Sequence, residues 1–196
     1  MGQRFKRIGA QHRTFIEAQK LFFVATAARS GHVNISPKGL DSLRVLDEQT
    51  VVWLNGTGSG NETAAHLLDT PRMTLMFCAF GGNPLILRLY GDAEVYHSRD
   101  PEWEGYTGLF TPLEGSRQVF KLHVELVQTS CGFGVPLFDY QGDRELMHTW
   151  AEKKGEDGIR AYWHEKNQLS LDGRPTRILG PGATADENEA AQLEAH

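Results

Sequence analysis

Residues 50–72, TVVWLNGTGSGNETAAHLLDTPR, constrain the fold more than any other stretch. Val51-Val52-Trp53-Leu54 is dense in β-branched and aromatic residues and reads as a strand. Glycines at 56, 58 and 60 free the backbone, so the strand must give way to a turn. Ser59 and Glu62 stand at the spacing of a capping box, which predicts a helix beginning there. Ala64, Ala65, Leu67 and Leu68 supply that helix, and Asp69-Thr70-Pro71 stops it. A strand, a glycine turn and a helix start bring several unpaired backbone N–H groups to one point, where a phosphate or another anion can bind. An ordinary glycine-rich connection is the alternative reading. Gly56-Thr57-Gly58 does not extend to a dinucleotide fingerprint, because Asn61 stands where the third glycine belongs. The Asn-x-Ser/Thr triplets at Asn34, Asn55 and Asn61 matter only in a secreted chain.

The remaining chain sorts into strands with peripheral helices. Residues 1–10 read as a flexible basic arm. Gln11–Phe22 has Phe15, Ala18 and Phe22 on one helical stripe. Phe23–Ala27 is a first strand, and His32–Ser36 alternates Val33 and Ile35 with Asn34 and Ser36. Met73–Phe80 is apolar almost throughout, as in a strand covered on both faces. Leu87–Val95 alternates, with Gly91 marking a bulge or bend. Pro101–Gly108 reads as a short helix. Val119–Thr129 alternates with Phe120, Leu122, Val124 and Leu126 on its apolar side. Residues 143–154 and 156–167 carry helical spacing, and residues 180–196 form an acidic stretch without aromatics, expected to be a disordered tail. The sum is a single domain over residues 11–179, of α+β class and mainly β: a six-stranded barrel with peripheral helices.

Composition excludes several functions. A chain of 196 residues, 40% hydrophobic, can bury one core. A net charge of −5 without a basic stripe argues against nucleic acid. No apolar run reaches membrane length, and MGQRFKRIGAQHR has no signal core, so a cytoplasmic location is expected. Cys78 and Cys131 have no paired spacing and read as reduced thiols, Cys131 as a buried bystander. The dispersed histidines, among them His32, His66, His97 and His123, lack metal-ligand spacing. No Ser-His-Asp, Cys-His or paired-carboxylate set stands out, so no catalytic residue is assigned.

The order helix, strand, His32–Gly39, Val51–Asn55, Ser59–Leu68, Pro71–Phe80, Leu87–Val95 resembles the pyridoxamine 5′-phosphate oxidase family. The resemblance covers Phe15 to Thr129 and implies a split β-barrel that binds FMN between two subunits. It places the family's strand-end lysine at Lys38, the phosphate turn at Ser59–Thr63, and the Pro-Arg strand start at Pro71-Arg72. Where the family has Ser-Arg-Lys, this chain has Asn61-Glu62-Thr63, so two phosphate cations are replaced. The cofactor-binding residues it implies are Ser36, Lys38, Asn55, Ser59, Gly60, Asn61, Glu62 and Thr63. Phe133, in the apolar loop Cys131–Pro136, is added as a wall of the flavin pocket, with sealing of the barrel end as the alternative. The implied activity is FMN-dependent oxidoreduction of a small molecule by a homodimer. A haem- or deazaflavin-binding relative and a non-catalytic flavin sensor are the alternatives.

Overall fold

The computed structural model describes residues 2–181; the expected tail, beyond its first two residues, lies outside them. In chain order the elements are β1 (Gln3–Phe5), α1 (Ala10–Ala18), β2 (Phe22–Thr26), β3 (Asn34–Lys38), β4 (Leu43–Val45) and β5 (Thr50–Gly56). Then follow α2 (Glu62–Leu67), β6 (Arg72–Cys78), β7 (Ile86–Tyr96), α3 (Trp103–Thr107), β8 (Ser116–Ser130) and α4 (Leu146–Lys166). The strands form one eight-stranded antiparallel sheet in the order β3-β2-β6-β7-β8-β5-β4, with β1 paired to β8 off this path. The sheet curls until the Lys38 ammonium, on its first strand, reaches Asn55 near its far end at 3.0 Å. A side-chain bond rather than a backbone ladder spans this gap, so the fold is a split barrel, α+β and mainly β.

The count is eight strands rather than six because β1 and β4 have three residues each, too few for periodicity to register. The expected flexible arm is corrected at the same place. β8 spans 15 residues, and β5 pairs with it only as far as His123. β1 covers the rest of that edge, setting Gln3 against Thr129 and Phe5 against Val127. An open edge of that length is a template for mispairing, which β1 removes. Ile8 is then buried, its N–H donating to Glu48 at 2.8 Å.

One side-chain alternation differs from the sequence reading, and another holds with its apolar face turned outward. Along β7 and β8 the register shifts at Gly91, which faces Val124 while Tyr90 faces Leu126. Glu125 is therefore the extra residue, and Val127 rather than Leu126 points inward beyond it. The glycine is required: a Cβ at Gly91 would lie 1.8 Å from the carbonyl oxygen of His123. Along β3 the apolar face points outward. Val33 and Ile35 are 69% and 66% exposed, whereas Asn34, Ser36 and Lys38 are half-buried.

The barrel core contains Trp53 stacked on Phe120 at 4.4 Å, with Leu75, Leu87, Leu89 and Leu122 fully buried around it. Each such leucine contributes about 1.5–3 kcal/mol relative to exposure. On the other face of β5 and β8, Val52, Leu54 and Val119 pack against Phe110, Tyr106 and Trp103, under α3. The two predicted C-terminal helices run together as α4, broken at Gly155, whose φ of 65° leaves the helical region. Among the described residues no helix is long and apolar enough to cross a membrane.

Candidate functional site

The turn after β5 is held from behind. Arg117, near the start of β8, donates to Gly60 O at 2.6 Å and to Gly58 O at 3.3 Å. Asn167, just past the end of α4, donates through Nδ2 to Gly58 O at 3.0 Å and Ser59 O at 3.3 Å. Its own Oδ1 accepts from Arg117 at 2.6 Å. Trp163 Nε1 donates to Thr57 Oγ1 at 2.8 Å, and Thr57 donates to Gly115 O. The carbonyls of residues 58, 59 and 60 thus all face Arg117 and Asn167. In a planar trans peptide the N–H lies opposite the C=O. The amides of Ser59, Gly60 and Asn61 therefore point away from that cluster.

This geometry corrects the capping box. The helix begins only at Glu62, its N-cap is Asn61, and no side chain caps it. The pinned carbonyls delay the helical bonds, and the Glu62 carboxylate accepts the Leu171 N–H at 3.0 and 3.1 Å instead of turning back. With six residues, α2 adds little dipole of its own. Any preference for an anion must come from the amides and from charge.

That charge is present and poorly neutralised. Arg117 is buried; its partners are backbone carbonyls and one amide oxygen, and its Nε has none. Among the described residues Lys38 bonds only Asn55 Oδ1, and it lies 5.2 Å from the centre of the Trp53 ring. Among the described residues no carboxylate stands within ion-pair distance of either cation. Burial, and then the nearby Arg117 charge, bring the Lys38 pKa down to about 8. Burial likewise lowers Arg117 to about 10, with Tyr162 and Glu62 pulling the other way. Buried cations are ordinarily paired, because leaving them unpaired costs several kcal/mol.

Behind Lys38 runs a chain of fixed partners. Asn55 Nδ2 donates to Gln118 Oε1 at 3.1 Å, and Gln118 Nε2 meets His97 Nε2 at 3.3 Å. His97 is buried, and burial lowers its pKa to about 4, so near neutral pH it accepts the amide hydrogen. This fixes the Gln118 and Asn55 amides, and Asn55 turns its oxygen to Lys38. Ser36 Oγ donates to Asn34 Oδ1, and Asn34 Nδ2 donates to Thr63 Oγ1 at 3.2 Å, which ties β3 to α2.

The structure thus brings Ser36, Lys38, Asn55 and Thr63 into two groups beside the turn of Ser59, Gly60 and Asn61, with the Glu62 carboxylate next to Gly60 and bonded to the Leu171 N–H. Arg117, Gln118, Asn34 and Asn167 belong with them and were missed by the sequence reading. Arg117-Gln118 is a polar pair opening an apolar strand, which is a usable signal; Asn167 gives none. Phe133 is not joined to the group. It is 82% exposed, on a loop whose Gly132 packs against the backbone of Leu85. Cys131 is exposed rather than buried, and both cysteines are free.

A phosphate monoester fits this site: its charge answers the two cations, and the free amides and hydroxyls match its oxygens. Comparison with known proteins agrees with the fold. The family model described as pyridoxamine 5′-phosphate oxidase matches residues 8–131. The chain belongs to the pyridoxamine 5′-phosphate oxidase family. It is 40% identical over 177 residues to the family protein ustO of Aspergillus flavus, covering 80% of this chain and 70% of that protein. Among solved structures it resembles a protein from Lactobacillus delbrueckii described as a candidate pyridoxamine 5′-phosphate oxidase. The TM-score is 0.50 at 19% identity, over 63% of this chain and 94% of that one. HupZ of Group A Streptococcus is also similar, with 25% identity and a TM-score of 0.48 over 61% and 91% of the two chains.

Proposed function

We propose that this family member is an FMN-dependent oxidoreductase that acts on a small organic molecule as a cytoplasmic homodimer. The observation that carries the reading is a pair of cations, half-buried Lys38 and buried Arg117, without carboxylate partners among the described residues, beside a turn whose carbonyls are pinned from behind. An uncompensated site of that kind is stabilised by a bound anion, and the terminal phosphate of FMN supplies one.

Each residue then has a separate task. Lys38 gives the phosphate a charged N–H donor, and Asn55, Gln118 and His97 hold it in place. The amides of Ser59, Gly60 and Asn61 and the hydroxyls of Ser36 and Thr63 supply neutral donors. Arg117 acts through the turn, its charge compensating the anion from the far side of the peptide planes. When bound, the isoalloxazine ring supplies the redox chemistry, accepting and passing on electrons from a substrate.

Denaturing the purified protein and chromatographing what it releases tests the reading. FMN in near-stoichiometric amount is expected, followed by bleaching of the flavin band with NADH, NADPH or a candidate substrate. Release of FAD or haem instead overturns it. Bound FMN that no reductant bleaches leaves a flavin-binding protein without the oxidoreductase activity.

A further inference from the structure

We infer that Asn167 is a positioning residue of the phosphate site, so that the segment after the barrel completes the cofactor cradle; this rests on the FMN reading above. Asn167 lies outside the 8–131 span that the family model matches, yet it is fully buried against the turn. Its side chain bonds Gly58 O, Ser59 O and Arg117, and its carbonyl accepts from Thr176 Oγ1 at 2.6 Å and Asn61 Nδ2 at 3.4 Å. One residue thereby joins the turn, the buried guanidinium and the chain that follows α4.

The turn needs such a restraint. Glycines at 58 and 60 give it wide conformational freedom, so without a restraint its carbonyls, and the amides opposite them, would not keep one orientation. Ordering those amides only on binding would be subtracted from affinity, whereas ordering them beforehand is not. Asn167 does the ordering by holding the opposite ends of the same peptide planes. The Glu62 carboxylate, next to the turn at Gly60, is likewise fixed by Leu171 of the same C-terminal segment.

The test compares FMN with riboflavin, which has the same ring and ribityl chain but no phosphate, by quenching of flavin fluorescence on the full chain. The ratio of the two Kd values reads the phosphate's share of binding. Asn167→Ala is expected to reduce that ratio about tenfold, a loss in the range of a single charge-assisted bond, with riboflavin affinity unchanged. Asn167→Asp keeps the size and the contact with Arg117 but cannot donate to Gly58 or Ser59. It is expected to show a loss at least as large, because its charge also offsets that of Arg117. An unchanged ratio in Asn167→Asp, or equal losses for both ligands, overturns the inference while leaving the FMN reading intact. A wild-type ratio near one overturns the phosphate site itself, and the role of Asn167 with it.

Discussion

Lys38 concentrates the chemistry of the site in one side chain. Its ordinary pKa of 10.5 falls to about 8 because burial penalises the ammonium and Arg117 repels it. The sign of the consequence is fixed. A bound phosphate selects the protonated form, so FMN affinity is level below about pH 8 and weakens as pH rises above it. Fluorescence titrations from about pH 7 to about pH 9.5 check this, a window in which the phosphate of FMN is already dianionic. Lys38→Met is expected to weaken FMN binding by about 1.5–3 kcal/mol, the range for bonds to a charged group, and to abolish the pH dependence. The same substitution bears on stability without cofactor. A lysine with a lowered folded pKa destabilises the native state in full below about pH 8, and the penalty fades as pH approaches 10.5. Cofactor-free Lys38→Met is therefore expected to melt higher than the wild type at neutral pH, which differential scanning calorimetry reads directly. An unchanged Kd together with an unchanged melting temperature removes Lys38 from the site.

At the level of the elements, the β7–β8 pair is the backbone of the barrel, and its bulge decides which side chains enter the core. Gly91 permits the approach of His123 O, and Gly91→Ala puts a Cβ where the oxygen already lies. The strands must separate or the register must slip, so a loss of about 2–3 kcal/mol is expected, measured by urea denaturation. A loss under about 0.5 kcal/mol, the size usual for an unconstrained surface position, would show that the bulge relaxes without cost. Gly91 and Gly155 were legible in the sequence because each interrupts a strong periodic run. β5, β6 and β7 were legible for the same reason, since alternation or β-branched density spans five residues or more. β1 and β4 were not, because three-residue strands are selected by the edge they cover rather than by their own pattern. The parity change at Glu125 was hidden as well: Leu126 and Val127 are both apolar, and only the pairing with Tyr90 and Gly91 chooses between them.

The whole molecule shows where sequence reading stops and what a single chain leaves unfinished. The glycine turn was found from local signals, but the residues that pin it, Arg117 and Asn167, lie about 60 and 110 positions away, and no local period links them to it. The inverted face of β3 has a related cause. Asn34, Ser36 and Lys38 turn toward the polar site, which forces Val33 and Ile35 outward on the terminal strand of the sheet. Leu137 and Phe138, between β8 and α4, are likewise 75% and 65% exposed. Monomeric proteins rarely leave large apolar patches in water, and closed two-fold pairs are the commonest arrangement that covers them. The expected occupant is a second copy of this chain, seated on β3. Light scattering should then give twice the 21.9 kDa chain at micromolar concentration. Ile35→Glu places two carboxylates in or beside that self-complementary surface and is expected to yield the monomer. Because Ile35 lies between Asn34 and Ser36, the monomer should also bind FMN more weakly. A wild-type monomer that binds FMN tightly would separate the two ideas: the phosphate site would stand within one subunit, and the outward face of β3 would need a different explanation.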